Sequence, residues 1–79
     1  MKVARRNRKL TLALLREQRG LTQAKLAQRA KITQSEVSRT ELRAGRDCLV
    51  STLERYAEAL GGKLALHVEI DGQSYPVML

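Results

Sequence analysis

The apolar residues of this chain keep two rhythms, a helical one up to about position 60 and an alternating one from Lys63 onward. Leu12 and Leu15 recur at helical spacing with Arg19 in line, Leu14 falls off that stripe, and Gly20 stands where a helix would stop. A second helix is predicted after Thr22, whose hydroxyl can cap it. Leu26, Ala27 and Ala30 would point inward before Lys31 and Ile32 turn the chain. Thr33-Gln34-Ser35-Glu36 is a capping box that starts a third helix, with Val37 as its clear apolar anchor and Leu42 near its end. Gln34, Ser35, Ser38 and Arg39 fall on the polar side of that helix, which would be exposed. Ala44 to Asp47 reads as a loop. Ser51-Thr52-Leu53-Glu54 can form another capping box, although Leu49 or Val50 can already be helical. Leu53, Tyr56, Ala57 and Leu60 mark the inner face of a fourth helix closed by Gly61-Gly62.

Leu64, Leu66, Val68 and Ile70 alternate with Ala65, His67 and Glu69 up to Asp71-Gly72, a pair suited to a two-residue hairpin turn. If that turn sets the register, Val68 faces Tyr75, Leu66 faces Val77 and Leu64 faces Leu79. Every large apolar side chain of the hairpin except Met78 then lies on one face.

With 79 residues the chain makes one small unit with a thin core. Three parts are expected: a basic arm over 1–9, a helical domain over 10–62 and a hairpin over 63–79. The formal charge of +7 is unevenly spread. Up to Arg46 there are thirteen Lys and Arg against three Asp and Glu; from Asp47 onward there are two against five. The first half therefore suits a polyanion, and nucleic acid heads the candidates. Only Tyr56 and Tyr75 are aromatic, too few to stack on single-stranded bases. Cys48 is the single cysteine, which excludes an internal disulfide, makes a cysteine-bound zinc site a poor fit and suits a reducing, cytoplasmic compartment. No run is long and apolar enough for a membrane span. His67 lacks a second histidine or a supporting nucleophile, so an enzyme, a metal site and a cofactor are not expected.

Two short helices, a tight turn and a polar third-helix face in a basic setting suit a helix-turn-helix entering the major groove. Gln23-Ala24-Lys25-Leu26-Ala27-Gln28-Arg29-Ala30, then Ile32, then Gln34-Ser35-Glu36-Val37-Ser38-Arg39 resembles the motif of lambdoid phage repressors and the Xre family. There is a partial likeness to antitoxins of the HipB and HigA type. The resemblance runs from about Leu12 to Gly62. It implies a mainly α, four-to-five-helix, lambda-repressor-like DNA-binding domain, here with a C-terminal β-hairpin. It further implies that Gln34, Ser35 and Arg39 read base edges with Ser38 beside them, that Thr22, Gln23, Thr33 and Arg43 hold phosphates, and that Arg16 and Glu41 form a structural ion pair. The chemistry agrees, since a Gln amide pairs bidentately with adenine and an Arg guanidinium with guanine. Two positions depart from the family pattern: Lys31 stands where glycine is usual at the turn, and Thr40 where a large apolar residue is usual. The first implies a strained non-glycine turn, the second a shallower anchor.

The hairpin points to a homodimer. Pro76 has no amide hydrogen, so the second strand suits an edge, whereas Leu64, Leu66, His67, Val68 and Ile70 lie on a strand that could pair with its own copy across a two-fold axis. Packing of the hairpin on its own fourth helix is the alternative. The expected function is sequence-specific binding of an inverted-repeat operator in double-stranded DNA by a transcriptional repressor. The alternative is an antitoxin that also binds a protein toxin and controls its own operon. An RNA-binding or interaction module would leave the polar third-helix face without a purpose. The arm from Lys2 to Lys9 serves either as a phosphate or minor-groove contact or as a solubilising tail, and Cys48 as a small loop residue or a redox sensor.

Overall fold

A computed structural model describes residues 10–43 and 46–78. The basic arm, the Ala44-Gly45 part of the loop and the expected Leu64 to Leu79 pairing therefore lie outside the described residues. Four helices are present among them: α1 (Leu12–Gln18), α2 (Gln23–Ala30), α3 (Gln34–Arg43) and α4 (Val50–Ala59). An antiparallel pair follows, β1 (Leu66–Ile70) and β2 (Gln73–Val77). This is the lambda-repressor-like helix-turn-helix fold with an added hairpin.

Local sequence sets the helix boundaries. The Thr11 hydroxyl accepts from the Leu14 amide at 3.1 Å, and the Thr22 hydroxyl from the Lys25 amide at 3.1 Å, each satisfying a donor that the first helical turn leaves free. The capping box at α3 closes both ways: the Glu36 amide donates to the Thr33 hydroxyl at 3.0 Å, and the Thr33 amide donates to a Glu36 carboxylate oxygen at 2.8 Å. The box expected at α4 does not form. That helix takes the earlier start that the sequence also allowed, at Val50, two residues before the one Ser51 could cap, with Leu49 at the N-cap and no side-chain bond there.

Three helices end on a left-handed residue. Gly20 (φ +72°) and Gly61 (φ +88°) close α1 and α4, with the Leu21 amide donating to the Arg16 carbonyl and the Gly62 amide to the Ala57 carbonyl. At the α2 end the same role falls to Lys31 at φ 60°, the non-glycine strain anticipated from its place in the turn. Its following amide, on Ile32, reaches back to the Ala27 carbonyl at 3.1 Å.

Leu21, Leu26, Ala27, Ala30, Val37, Tyr56 and Ala59 form the core, with Leu12, Ile32 and Leu60 against it. Leu26, Val37 and Tyr56 are its fully buried large side chains, which fastens α2, α3 and α4 to one another. Two expectations need correction. Leu42 is 82% exposed and contributes nothing to the core, because helical phase puts it on the side opposite Val37 and Thr40. On α4, Ala59 is buried with Tyr56, while Leu53, Ala57 and Leu60 are only half-buried. Thr40 fills the site of the missing large apolar residue and stays buried because its hydroxyl donates to the Glu36 carbonyl at 2.7 Å.

In the hairpin, Asp71 (φ 50°) and Gly72 (φ +81°) are both left-handed, the signature of a type I′ turn. The register pairs Val68 with Tyr75 and Leu66 with Val77, as the alternation predicts. The strand starts at Leu66 rather than Leu64.

Candidate nucleic-acid interface

The candidate interface is the outer side of α3, and four side chains on the opposite side fix how that helix is held. Glu41 is the hub. Arg16 of α1 donates to it through Nε at 2.7 Å and Nη2 at 3.3 Å, and Gln23, the first residue of α2, donates through Nε2 at 3.0 Å. The Tyr56 hydroxyl of α4 donates to Oε2 at 2.6 Å, with the Leu12 carbonyl also nearby at 3.1 Å. Arg16 Nη1 donates to the Leu21 carbonyl at 2.8 Å. One carboxylate on α3 thus ties the other three helices to it, and the ion pair implied by the family resemblance is present at its centre.

The electrostatics match this enclosure. Burial alone would push the Glu41 carboxyl up, but the hydrogen bonds from Arg16, Tyr56 and Gln23 outweigh it and hold the carboxyl below the usual glutamate value. The hydrogen bond to Glu41 raises Arg16 further, against the opposing effect of burial. Burial and the bond to Glu41 push the Tyr56 phenol well above its ordinary range. The group is therefore a carboxylate, a guanidinium and a neutral phenol at any physiological pH. No buried side-chain nitrogen or oxygen among the described residues lacks a partner.

With Val37, Thr40 and Glu41 turned inward, helical phase leaves Gln34, Ser35 and Arg39 exposed and Ser38 half-buried on the outside. These are the residues singled out as base readers, and the fold brings all of them to one face. Leu42 shares that face, a residue sequence reasoning had assigned to the core; its place two turns after Ser35 was the signal.

The residues singled out for phosphates divide differently. Thr22 is exposed and its hydroxyl hydrogen remains available beyond the cap bond. Arg43 is exposed, and its contact among the described residues is one of 3.4 Å to the still more exposed Asp47. Thr33 is committed to its capping box through both amide and hydroxyl, the latter also 3.2 Å from Glu36 Oε1, so neither group is left for a ligand. The backbone bond from Thr33 is also what most lowers the Glu36 carboxyl. Gln23 spends an amide hydrogen on Glu41 and is half-buried, so it serves the internal hub first. Sequence reasoning missed Tyr56 as a member of that hub, since spacing marked it only as an apolar core position.

Among the described residues no group of three His, Cys, Asp or Glu is arranged to hold a metal ion, and no helix is long and apolar enough to cross a membrane.

Residues 10–69 match the model of a family described as a helix-turn-helix domain. The chain belongs to that family. Among solved structures it is similar to the protein described in "Induced DNA bending by unique dimerization of HigA antitoxin", at 28% identity and a TM-score of 0.73, over 92% of this chain and 100% of that one. It is also similar to "DNA bound antitoxin HigA3", at 27% identity and a TM-score of 0.75, over 91% and 94% of the two chains. No curated protein matches. The chain is thus an Xre-type helix-turn-helix domain that is HigA-like in structure.

Proposed function

We propose that the protein is a DNA-binding regulator that acts as the antitoxin of a toxin-antitoxin pair and represses its own operon. The observation that carries the DNA-binding reading is the outer face of α3. Gln34, Ser35 and Arg39 stand exposed on a helix locked from behind by Glu41, with Lys25, Arg29, Arg43 and Arg46 exposed in the same basic half. Gln34 and Arg39 supply bidentate donors and acceptors for base edges, with Ser35 and Ser38 between them. Thr22 and Arg43 hold phosphates, which set position and affinity rather than sequence. Gln23 contributes to the phosphate contact with the part of its carboxamide that Glu41 leaves free, and Thr33 contributes by starting α3 at the right place.

A two-fold dimer presents two copies of α3 to half-sites about 34 Å apart. The hairpin residues Leu66, His67, Val68 and Ile70, with Leu64 before them, form the contact between copies. The likeness to two antitoxins favours the antitoxin over a stand-alone repressor. Recovery of bound fragments from genomic DNA is expected to return one inverted repeat, upstream of the protein's own gene and a neighbouring toxin gene. Co-purification of that neighbour's product supports the antitoxin reading. A repeat next to unrelated genes, with no co-purifying partner, returns the reading to a plain repressor. Equal affinity for all duplexes refutes both.

A further inference from the structure

The outer side of α3 carries one group that hydrogen-bonded base reading does not use. Leu42 lies within about 20° of the direction of Ser35, two turns further along the same helix. It therefore shares a face with Gln34, Ser35, Ser38 and Arg39. Its side chain is 82% exposed, and of the large apolar residues among the described ones only Met78 is more open. A lone exposed leucine on an ordinary surface needs no explanation. This one stands amid polar residues on a helix that the Glu41 hub holds from behind, so α3 cannot turn to bury it.

The major groove offers such a side chain one apolar partner. Base pairs display hydrogen-bond donors and acceptors there, and a single hydrocarbon group, the 5-methyl of thymine. The face already holds groups suited to purines, the Gln34 amide for adenine and the Arg39 guanidinium for guanine. Apart from serine, a pyrimidine is read by a carboxylate, which accepts from the cytosine amino group, or by an apolar side chain, which meets the thymine methyl. Both carboxylates of α3 are engaged within the protein, Glu36 in the capping box with Thr33 and Glu41 in the hub. Leu42 is what remains for a pyrimidine. Its distance along the helix also fits. The seven residues from Ser35 to Leu42 rise about 10 Å, which is close to three base pairs along one strand.

We propose that Leu42 is a specificity-determining residue that packs against the 5-methyl of one thymine in each half-site. The proposal rests on the DNA-binding reading above and adds a base to it. The two hydrocarbon groups leave water together, so the contact discriminates thymine from cytosine without any hydrogen bond. Arg43, the next residue, turns to the phosphate beside it. Leu42 thus closes the reading face at the end where base edges give way to backbone.

The test uses the full-length chain and the inverted-repeat duplex that it selects from random sequence. Thymines are replaced one at a time by deoxyuridine, which removes the methyl and keeps every hydrogen-bonding edge. Wild-type affinity is expected to fall about fourfold at one thymine in each half-site, the effect of one methyl no longer buried. Leu42→Ala is expected to weaken binding to the thymine duplex by at least as much and to bind the thymine and uracil forms alike. Because Leu42 is exposed, the variant's urea midpoint and sedimentation are expected to match those of the wild type. The proposal is overturned, with the α3 reading left standing, if no thymine responds, if uracil sensitivity survives in Leu42→Ala, or if that variant changes oligomeric state. A chain that selects no duplex from random sequence overturns both.

Discussion

Replacing Glu41 with alanine removes the acceptor shared by three donors on three helices. The Arg16 side chain is 10% exposed and that of Glu41 7%, so water cannot simply take the carboxylate's place. Breaking a buried pair by deleting one partner costs about 3–5 kcal/mol, chiefly because a charge is left buried without compensation. After Glu41→Ala, Arg16 keeps the Leu21 carbonyl and a 4.0 Å approach to the exposed Glu17 carboxylate, Tyr56 keeps the Leu12 carbonyl, and the Gln23 amide loses its acceptor. After Arg16→Ala, by contrast, the carboxylate still accepts from Gln23 and Tyr56. The loss should therefore be near the upper end for Glu41→Ala, about 4 kcal/mol, and near the lower end for Arg16→Ala, about 3 kcal/mol. A domain of this length has a total stability of about 4–12 kcal/mol, so Glu41→Ala sits at the margin of folding. Urea unfolding followed by circular dichroism measures both, with an unchanged m-value showing that the difference is one of stability. A Glu41→Ala cost below about 1 kcal/mol, or a larger cost for Arg16→Ala, would falsify the hub.

Other expectations concern pH, the strained turn and the reading face. The folded-state value of the Glu41 carboxyl is lowered, so its contribution is fully present above the ordinary glutamate value of 4.5 and is lost as pH falls through the lower folded-state value. Glu41→Gln should accordingly flatten the acid side of a stability-versus-pH curve, and an unchanged slope would place the acid sensitivity elsewhere. Lys31→Gly should raise stability by about 1 kcal/mol by removing the cost of a left-handed side-chain-bearing residue, read as a higher urea midpoint. Arg39→Ala should relax sequence preference at one base position at a cost of about 1–3 kcal/mol, whereas Arg43→Ala should weaken all duplexes alike and lower the salt slope by about one. If the two mutants behaved in the same way, the division between reading and positioning residues would fail.

What the sequence determined on its own was whatever depends on neighbours along the chain. The Thr22 and Thr33 caps, the left-handed ends at Gly20 and Gly61, and the hairpin register set by Asp71-Gly72 all arise from groups within a few residues of one another. Their spacing is enough to reveal them. The outward set of Gln34, Ser35, Ser38 and Arg39 was legible for the same reason, because helical phase alone separates it from Val37. The pairing of Arg16 with Glu41 came from family resemblance rather than from spacing. Tertiary structure decided what depends on residues far apart meeting. Tyr56 had an apolar core spacing, and only the approach of α4 to α3 turned its hydroxyl into a partner of Glu41. Gln23 had the position of a phosphate contact, and only the same packing made it a donor to an internal carboxylate. The choice between Ser51 and an earlier residue as the start of α4 was left open by the sequence and fell to Val50, and the exposure of Leu42 went against its apolar character, since a capping residue or a leucine acts only where the assembled helices leave it room and partners.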